Sequence, residues 1–304
     1  MNLARGARAV VGAANVIDDP DALWTYAYDA TMGFRSLPGV IAFPETEAEI
    51  QELVRLAIEV DVPCLARGGA TSLAASAVPP EGALVVDTNR MQQVESLDLG
   101  SRRAIAQPGV VTHQFRDLVK AAGLMYPPDP SSEAASTLGG NVATNAGGAS
   151  AFKYGVTRDF VRRLRMVTAL GDVIDVDRPG ETPVLEVLVG SEGTLGILTR
   201  VELRLIQQPA SRALRAAVFK DPLVALSSVP ELLDTGLVPA KLEFIDAQTI
   251  QAIERARPHG LPADAGAVLL VEFDGEPSDV EKDEQLLLDV LAKSDHGVDV
   301  VALR

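Results

Sequence analysis

From Pro44 onward the apolar positions recur with a helical period. Ile50, Leu53, Val54, Ala57 and Ile58 fall on one face, and Thr46 stands three residues before Glu49 as in a capping box, so a helix is predicted to about Glu59. Val62 to Ala66 follows as a short apolar run, predicted to be a buried strand, and leads straight into the loop Arg67-Gly68-Gly69-Ala70-Thr71-Ser72. Ala83 to Asp87 and Arg103 to Ala106 read as further strands. A helix with Phe115, Leu118 and Val119 inward starts at Thr112 and stops at Gly123. Leu164 to Ala169 and Val173 to Val176 alternate around Gly171-Asp172, a hairpin signal. Val184 to Val189 runs into Gly190-Ser191-Glu192-Gly193-Thr194-Leu195-Gly196-Ile197, and Leu198 to Ile206 is predicted to be a strand.

The rhythm changes at Pro209. Strands are predicted at Ala213–Phe219, Leu242–Ile245, Ala267–Phe273 and Val298–Leu303, with helices at Pro222–Thr235, Ala247–Ala256 and Val280–Lys293. Without the extra middle helix this is the βαββαβ order of a ferredoxin-like sheet with its helices on one face. The chain thus divides into an α+β domain over 1–208, whose strands are joined by glycine loops, and a ferredoxin-like α+β domain over 209–304.

Between these patterns lies Pro127 to Gly148, PPDPSSEAASTLGGNVATNAGG, which has almost no side chain able to fill a core. Glycines at 139, 140, 147 and 148 remove Cβ atoms where a partner would clash. Ser136, Thr137, Asn141, Thr144 and Asn145 can donate to phosphate and ribose oxygens. A loop this long inside a domain is functional or disordered, and Leu138, Val142 and Ala143 punctuate it as a packed segment.

Composition narrows the chemistry. With 27 Lys plus Arg against 42 Asp plus Glu the formal charge is −15, which repels a nucleic-acid backbone. Cys64 is the single cysteine, so an internal disulfide, a cysteine-ligated cluster and a CxxC metal site are excluded, and a reducing, cytoplasmic setting is expected. The apolar patch Ala9–Val16 is too short and too interrupted for a signal peptide or a membrane span.

Of the three glycine-bearing segments, none matches the P-loop pattern, and none opens a helix with G-x-G-x-x-G after a first strand, which argues against a Rossmann site. Two loops whose amides are free could still clamp a pyrophosphate between them. The motifs RGGATSL (67–73), PDPSSEAASTLGGNVATNAGG (128–148), KYG (153–155) and GSEGTLGI (190–197), in this order, resemble the flavin-binding domain of the vanillyl-alcohol-oxidase or PCMH type. Within it the chain is most similar to the FAD-linked D-2-hydroxy-acid dehydrogenases: D-lactate dehydrogenase, D-2-hydroxyglutarate dehydrogenase and the D subunit of glycolate oxidase. The likeness runs from Tyr28-Asp29 to the end.

The resemblance implies a two-subdomain FAD-binding domain followed by a partial ferredoxin-like substrate domain. Arg67, Gly68, Gly69, Ala70, Thr71 and Ser72 would wrap the FAD pyrophosphate through backbone amides. Ser136, Thr137, Gly139, Gly140 and Asn141 would line the diphosphate and ribityl chain, and Pro130 joins the cofactor-binding set. Ala143, Thr144, Asn145 and Gly147 would lie near the isoalloxazine, with Glu192, Gly193 and Ile197 near the adenosine or ring edge. Relatives with covalent flavin carry a histidine where this chain has Thr71, whose hydroxyl is too poor a nucleophile, so non-covalent FAD is expected.

The implied reaction is hydride transfer from a small 2-hydroxy acid to FAD, the electrons then passing to an electron acceptor or partner subunit, with an oligomer left open. Cationic candidates for the substrate carboxylate are Arg35, Lys153, Arg158 and Lys241, each more simply read as a solvated surface charge, so no catalytic residue is assigned. His113, His259 and His296 lack metal-ligand spacing and read as surface or capping residues, so no metal site is assigned. The family's later HxGDGNxH-like metal segment has no counterpart between Met1 and Arg304, which implies a truncated form, one piece of a split protein or a diverged flavoprotein. The competing reading is an FAD-holding relay or scaffold subunit. A third, an NADPH-dependent flavin reductase of the enolpyruvyl-sugar type, shares the fold but does not account for PDPSS.

Overall fold

In the computed structural model, which describes residues 2–178, 183–262, 264–293 and 299–303, the capped helix over 47–59 is the centre of the first core. The chain forms two units, Met1–Gly148 with Val156–Gln207, and Ala149–Gly155 with Gln208–Arg304. The first begins with α1 (Leu3–Val11), β1 (Val16–Ile17), α2 (Pro20–Leu23), β2 (Val40–Ala42), α3 (Glu47–Glu59), β3 (Cys64–Arg67) and β4 (Leu84–Asp87). These strands make one sheet in the order β1-β2-β4-β3, with β2, β4 and β3 parallel.

Both halves of the capping box form, Thr46 accepting from the Glu49 amide while Glu49 accepts from the Thr46 amide. α3 buries Ile50, Leu53, Val54, Leu56 and Ala57 against Val40, Ala42, Leu84 and Val86. Ile58, expected inward, is exposed, and Leu56 is buried in its place. The cause is α1, which the interrupted patch Ala9–Val16 does not reveal: Ala7 and Val11 join this core, and Gly6 brings α1 so close that a Cβ there would sit 2.6 Å from Leu56 Cδ1. The run at 62–66 is likewise less buried than expected, because β3 is an edge strand with Cys64 exposed.

The unit continues with β5 (Val94–Asp98), β6 (Arg103–Ala106), α4 (Thr112–Ala121), β7 (Leu124–Met125) and α5 (Leu138–Thr144). After α6 (Ala151–Tyr154), which belongs to the second unit, come α7 (Thr157–Phe160), β8 (Val161–Thr168), β9 (Val173–Asp177), α8 (Val184–Leu188), β10 (Gly196–Arg204) and β11 (Ile206–Gln207). A second, antiparallel sheet has the order β5-β6-β10-β8-β9, and β11 pairs with β7. The expected hairpin is β8-β9, turned by Gly171 at φ 82°. α4 keeps Phe115 and Val119 inside but leaves Leu118 exposed, against expectation. Arg165 of β8 grips Glu47 at the start of α3 with two hydrogen bonds of 2.8 and 2.9 Å, and Thr199 of β10 donates to the same carboxylate. Helix and sheet are thereby tied.

The second unit adds β12 (Ser211–Phe219), α9 (Pro222–Asp234), β13 (Lys241–Asp246), α10 (Ala247–Ala256), β14 (Ala267–Gly275), α11 (Pro277–Lys293) and β15 (Asp299–Leu303). The sheet order β13-β14-β12-β15, all antiparallel, is that of a ferredoxin-like fold. Alternation sorts the side chains. Ala217, Phe219, Leu269, Val271 and Phe273 meet α9 and α11 on one face. Ala216, Val218 and Val268 meet Ile250 of α10 on the other, so the extra helix covers the face that the simple βαββαβ pattern leaves bare. His296 and the start of the expected strand at 298 lie outside the described residues.

Candidate functional site

Parallel strands deliver their loops to one edge, and ligands of such sheets sit beyond the carboxyl ends of the strands. Here β3 and β4 end side by side, Arg67 in register with Asp87. The Arg67 side chain, expected to belong to a cofactor-binding loop, is spent inside the protein. It is 8% exposed, donates to the carbonyls of Tyr28 and Ala77 at 3.0 Å and of Tyr26 at 3.4 Å, and stacks 5.2 Å from the Tyr26 ring centre. It pins three loop carbonyls rather than reaching a ligand.

Past Arg67 the backbone divides its polar groups. The carbonyls of Arg67, Gly68, Ala70 and Ser72 accept from Thr88 Oγ1, Asn89 Nδ2, the Ala30 amide and Thr31 Oγ1, respectively. Among the described residues, the amide N–H groups of Gly68, Gly69, Ala70, Thr71, Ser72 and Leu73 donate to no protein acceptor. Ala70 takes a left-handed φ of 51° to make this possible. Six successive amides without acceptors in a loop that is half-buried up to Ser72 make a nest of free donors, a kind of group that anions accept from.

The central stretch is packed against that nest. A Cβ at Gly68 would overlap Thr137 Oγ1, and one at Gly69 would overlap the Ala135 carbonyl. Two runs of small residues far apart in sequence thus touch. The hydroxyls and amides of the central stretch, however, are mostly occupied. Thr112 Oγ1 donates to the Ser136 carbonyl at 3.0 Å and lies 2.9 Å from Ser136 Oγ and 2.8 Å from Asn141 Nδ2, which donates to it. Thr137 caps α5 through the Gly140 amide, Thr144 Oγ1 donates to the Gly140 carbonyl, and Asn145 Oδ1 accepts from the Arg158 amide. The amides of Leu138 and Gly139 go to the Val110 and Pro108 carbonyls. The Ser136, Thr137 and Asn141 side chains thus bond within the protein, whereas the amides of 68–73 have no protein acceptor. Gly139 and Gly148 are also not ligand clearances, since a Cβ there would strike Pro108 or the Asp129 backbone. Gly140 differs: within 4 Å its Cβ position meets only Thr137 Oγ1, at 3.3 Å, and is otherwise open.

The third loop closes on the same place. The Gly190 and Glu192 amides donate to the Val142 and Ala143 carbonyls at 3.0 and 2.8 Å, and Gly193 approaches Ala66 at the end of β3. Glu192 is exposed, whereas the Ile197 side chain lies in the core around α3 and contributes nothing to a lining. Pro130 turns the central stretch by accepting from the Glu133 amide, and Thr71, Ala143 and Gly147 are half-buried. Of the cations, Arg158 holds the Glu186 and Val189 carbonyls, each at 2.7 Å, Lys153 pairs with Asp274, Lys241 with Glu272, and Arg35 is exposed. His113 and His259 are on the surface, and among the described residues no group of three or more His, Cys, Asp or Glu side chains is placed to hold a metal ion.

Sequence reasoning missed Asp87 and Thr112. Asp87 ends an apolar strand and could have been noticed as a lone acid there. It is 2% exposed; burial pushes its carboxyl up to about 6, against the pull of the Asn89 amide bond and the Arg67 charge. Because the folded-state value is raised from 3.8, its contribution to stability is complete below 3.8 and is lost as pH rises through about 6. Asp87→Asn removes that dependence. The stability of the variant relative to wild type should improve by about 1–2 kcal/mol between pH 4.5 and pH 7.5 in urea titrations; an unchanged difference would show that Asp87 is charged throughout.

Comparison with known proteins matches residues 38–177 to the FAD binding domain and residues 208–303 to the C-terminal domain of FAD linked oxidases. The chain is 37% identical over 294 residues to glycolate oxidase subunit GlcD of Bacillus subtilis, covering 94% of this chain and 62% of that protein. It is 36% identical over 223 residues to D-lactate dehydrogenase of Archaeoglobus fulgidus, covering 71% of this chain and 49% of the relative. The corresponding figures for D-2-hydroxyglutarate dehydrogenase of Stutzerimonas stutzeri are 35% over 220 residues, 71% and 47%. The chain thus spans half to about three-fifths of these relatives' length. Among solved structures, alkyldihydroxyacetonephosphate synthase superposes with a TM-score of 0.89 at 21% identity over 99% of this chain and 60% of that one. p-Cresol methylhydroxylase gives 0.80 at 17%, over 99% and 65%. These two show the PCMH-type fold. With an FAD-binding domain followed by their characteristic C-terminal domain, the chain belongs to the FAD-linked oxidases.

Proposed function

We propose that the first unit binds FAD without a covalent link and that the chain serves the oxidation of a small D-2-hydroxy acid such as glycolate or D-lactate. The observation that carries the reading is the row of six amides at 68–73 lacking protein acceptors, beside the open space at Gly140. Both fit a dinucleotide: a diphosphate needs several N–H donors with little steric bulk, which loop 68–73 offers while 135–140 packs beside it. Bound FAD supplies a hydride acceptor. The chain's own residues bind and orient it, the nest amides meeting the diphosphate oxygens and Thr71 lying in the nest as a non-nucleophilic side chain. The matches to proteins named as D-lactate dehydrogenase, D-2-hydroxyglutarate dehydrogenase and a subunit of glycolate oxidase support the substrate class.

The test is spectroscopic. Purified protein is expected to be yellow, to release all flavin on acid precipitation, and to bleach anaerobically with glycolate or D-lactate. A colourless protein that refuses added FAD overturns the reading; flavin that stays with the precipitate overturns its non-covalent part. A second reading, an FAD-holding relay or scaffold subunit of a larger complex, is favoured by the name of the Bacillus subtilis relative, a subunit. Yellow protein indifferent to every hydroxy acid supports that alternative, and bleaching by NADPH would favour a flavin reductase. Among the described residues no helix is long and apolar enough to cross a membrane.

Gly140→Val separates cofactor clearance from folding. Its Cβ meets only one hydroxyl, and a branched residue in a helix costs less than about 1 kcal/mol, so the chain should fold while flavin occupancy falls at least tenfold. Stoichiometric FAD in this variant would count against the assignment of the cradle.

A further inference from the structure

β3 and β4 run one strand spacing apart, about 4.8 Å, and end together at Arg67 and Asp87, so the loop of free amides leaves the sheet beside the Asp87 backbone. The turn after Asp87 holds the start of that loop. Thr88 Oγ1 donates to the Arg67 carbonyl at 3.2 Å and Asn89 Nδ2 to the Gly68 carbonyl at 3.1 Å, while Asp87 Oδ1 accepts from the Asn89 amide at 2.9 Å. Asp87 is thus the root of the turn on which the nest rests, and its side chain is buried.

Among the described residues, the charged or titratable side chains that face this carboxyl are the Arg67 guanidinium of β3 and the Tyr26 phenol. The guanidinium is turned to the Tyr26, Tyr28 and Ala77 carbonyls, and Asp29 bears on its charge in turn. Burial, then the Asp87 carboxylate, push the Tyr26 phenol up, so it stays neutral. Arg90, at the end of the turn, is paired with Glu45. Burial of Asp87 outweighs the Arg67 charge, which is why its carboxyl stands at about 6. A nest of six donors attracts an anion, and a buried carboxylate beside its first residue opposes it. Two negative charges in such surroundings repel far more strongly than in water, so the state of lower free energy has one of them neutral. A diphosphate keeps its charge near neutral pH, whereas a carboxyl can give its charge up.

We propose that Asp87 takes up a proton when a diphosphate enters the nest, so that the loop holds FAD more tightly in weak acid than at neutral pH. The inference rests on the FAD reading and adds to it a proton that the protein, not the cofactor, carries. Below about 6 Asp87 is neutral with and without FAD, and affinity is full. Above it the empty protein ionises first and each binding event draws in a proton. Affinity then falls until the occupied protein is ionised as well.

The full chain, freed of flavin by dialysis, is titrated with FAD by calorimetry at pH 5.5 and pH 8, and at pH 6.5 in two buffers of different ionisation heat, which counts the protons taken up. Wild type should bind about sevenfold more weakly at pH 8 than at pH 5.5 and take up about half a proton at pH 6.5, as for a carboxyl that binding raises by about one pK unit. Asp87→Asn, which can still accept from the Asn89 amide, should bind equally at both pH values and take up none. The triple variant His113→Gln, His259→Gln, His296→Gln removes every histidine and should behave as wild type. Equal affinity of wild type at the two pH values, or a folded D87N protein that keeps the pH dependence, would overturn the proposal. Should D87N not fold, the triple variant decides: loss of the proton uptake there assigns the proton to a histidine and overturns it, while its persistence supports Asp87. Folded wild type that takes no FAD at either pH overturns the flavin reading and the linkage with it, whereas FAD bound equally at both overturns the linkage alone.

Discussion

Gly69→Val is expected to cost the first unit about 1–3 kcal/mol and to empty it of flavin. The Cβ position of Gly69 overlaps the Ala135 carbonyl oxygen and lies 3.0 Å from the carbonyl carbon and 3.2 Å from Ser136 Cα. All three are backbone atoms that cannot rotate away, so the loop must lift from the central stretch, at the usual cost of overpacking. Urea titration reads the first effect and the flavin-to-protein ratio the second. The comparison with Gly140→Val is informative: at 69 two chain segments are forced apart, while at 140 only a ligand's space is filled. A Gly69→Val protein with wild-type midpoint and full flavin would show that the loops do not need their close approach.

The second large effect belongs to Arg67. Arg67→Met should destabilise the protein by about 3–5 kcal/mol, the range for removing one partner from a buried charged network. Three carbonyls, those of Tyr26, Tyr28 and Ala77, lose their donor, and the buried Asp87 loses the cation that partly offsets its burial. Arg67→Lys should recover little, because one ammonium cannot reproduce a planar fork that spans two loops. The melting transition of the flavin-free protein checks this. A loss below about 1 kcal/mol in Arg67→Met would mean that water replaces the guanidinium and that the loops carry themselves.

Several elements could be read directly from local pattern. The Thr46–Glu49 box placed the start of α3, and the alternation after Pro209 laid out the second unit's strands and helices closely, since propensity and caps act over a few residues. Other elements could not. α5 is hidden by Gly139 and Gly140, residues that oppose helix formation locally; it forms because Thr137 caps it and Leu138 and Val142 are buried. Ile58 and Leu118 have the right spacing to be buried and are exposed, because which part of a stripe is covered depends on the neighbour that arrives.

The order of the glycine motifs, a threonine at position 71, the acidic charge and the ferredoxin-like rhythm were all properties of the linear chain. Each depends on residue type and short spacing alone. Which amides stay free, whether a glycine clears space for a ligand or for another strand, that Arg67 is a clamp, and that Asp87 lies buried opposite it were decided only by tertiary structure. Every one of these is a statement about the partner a polar group or a missing Cβ meets from a distant part of the chain, and no local pattern encodes that partner.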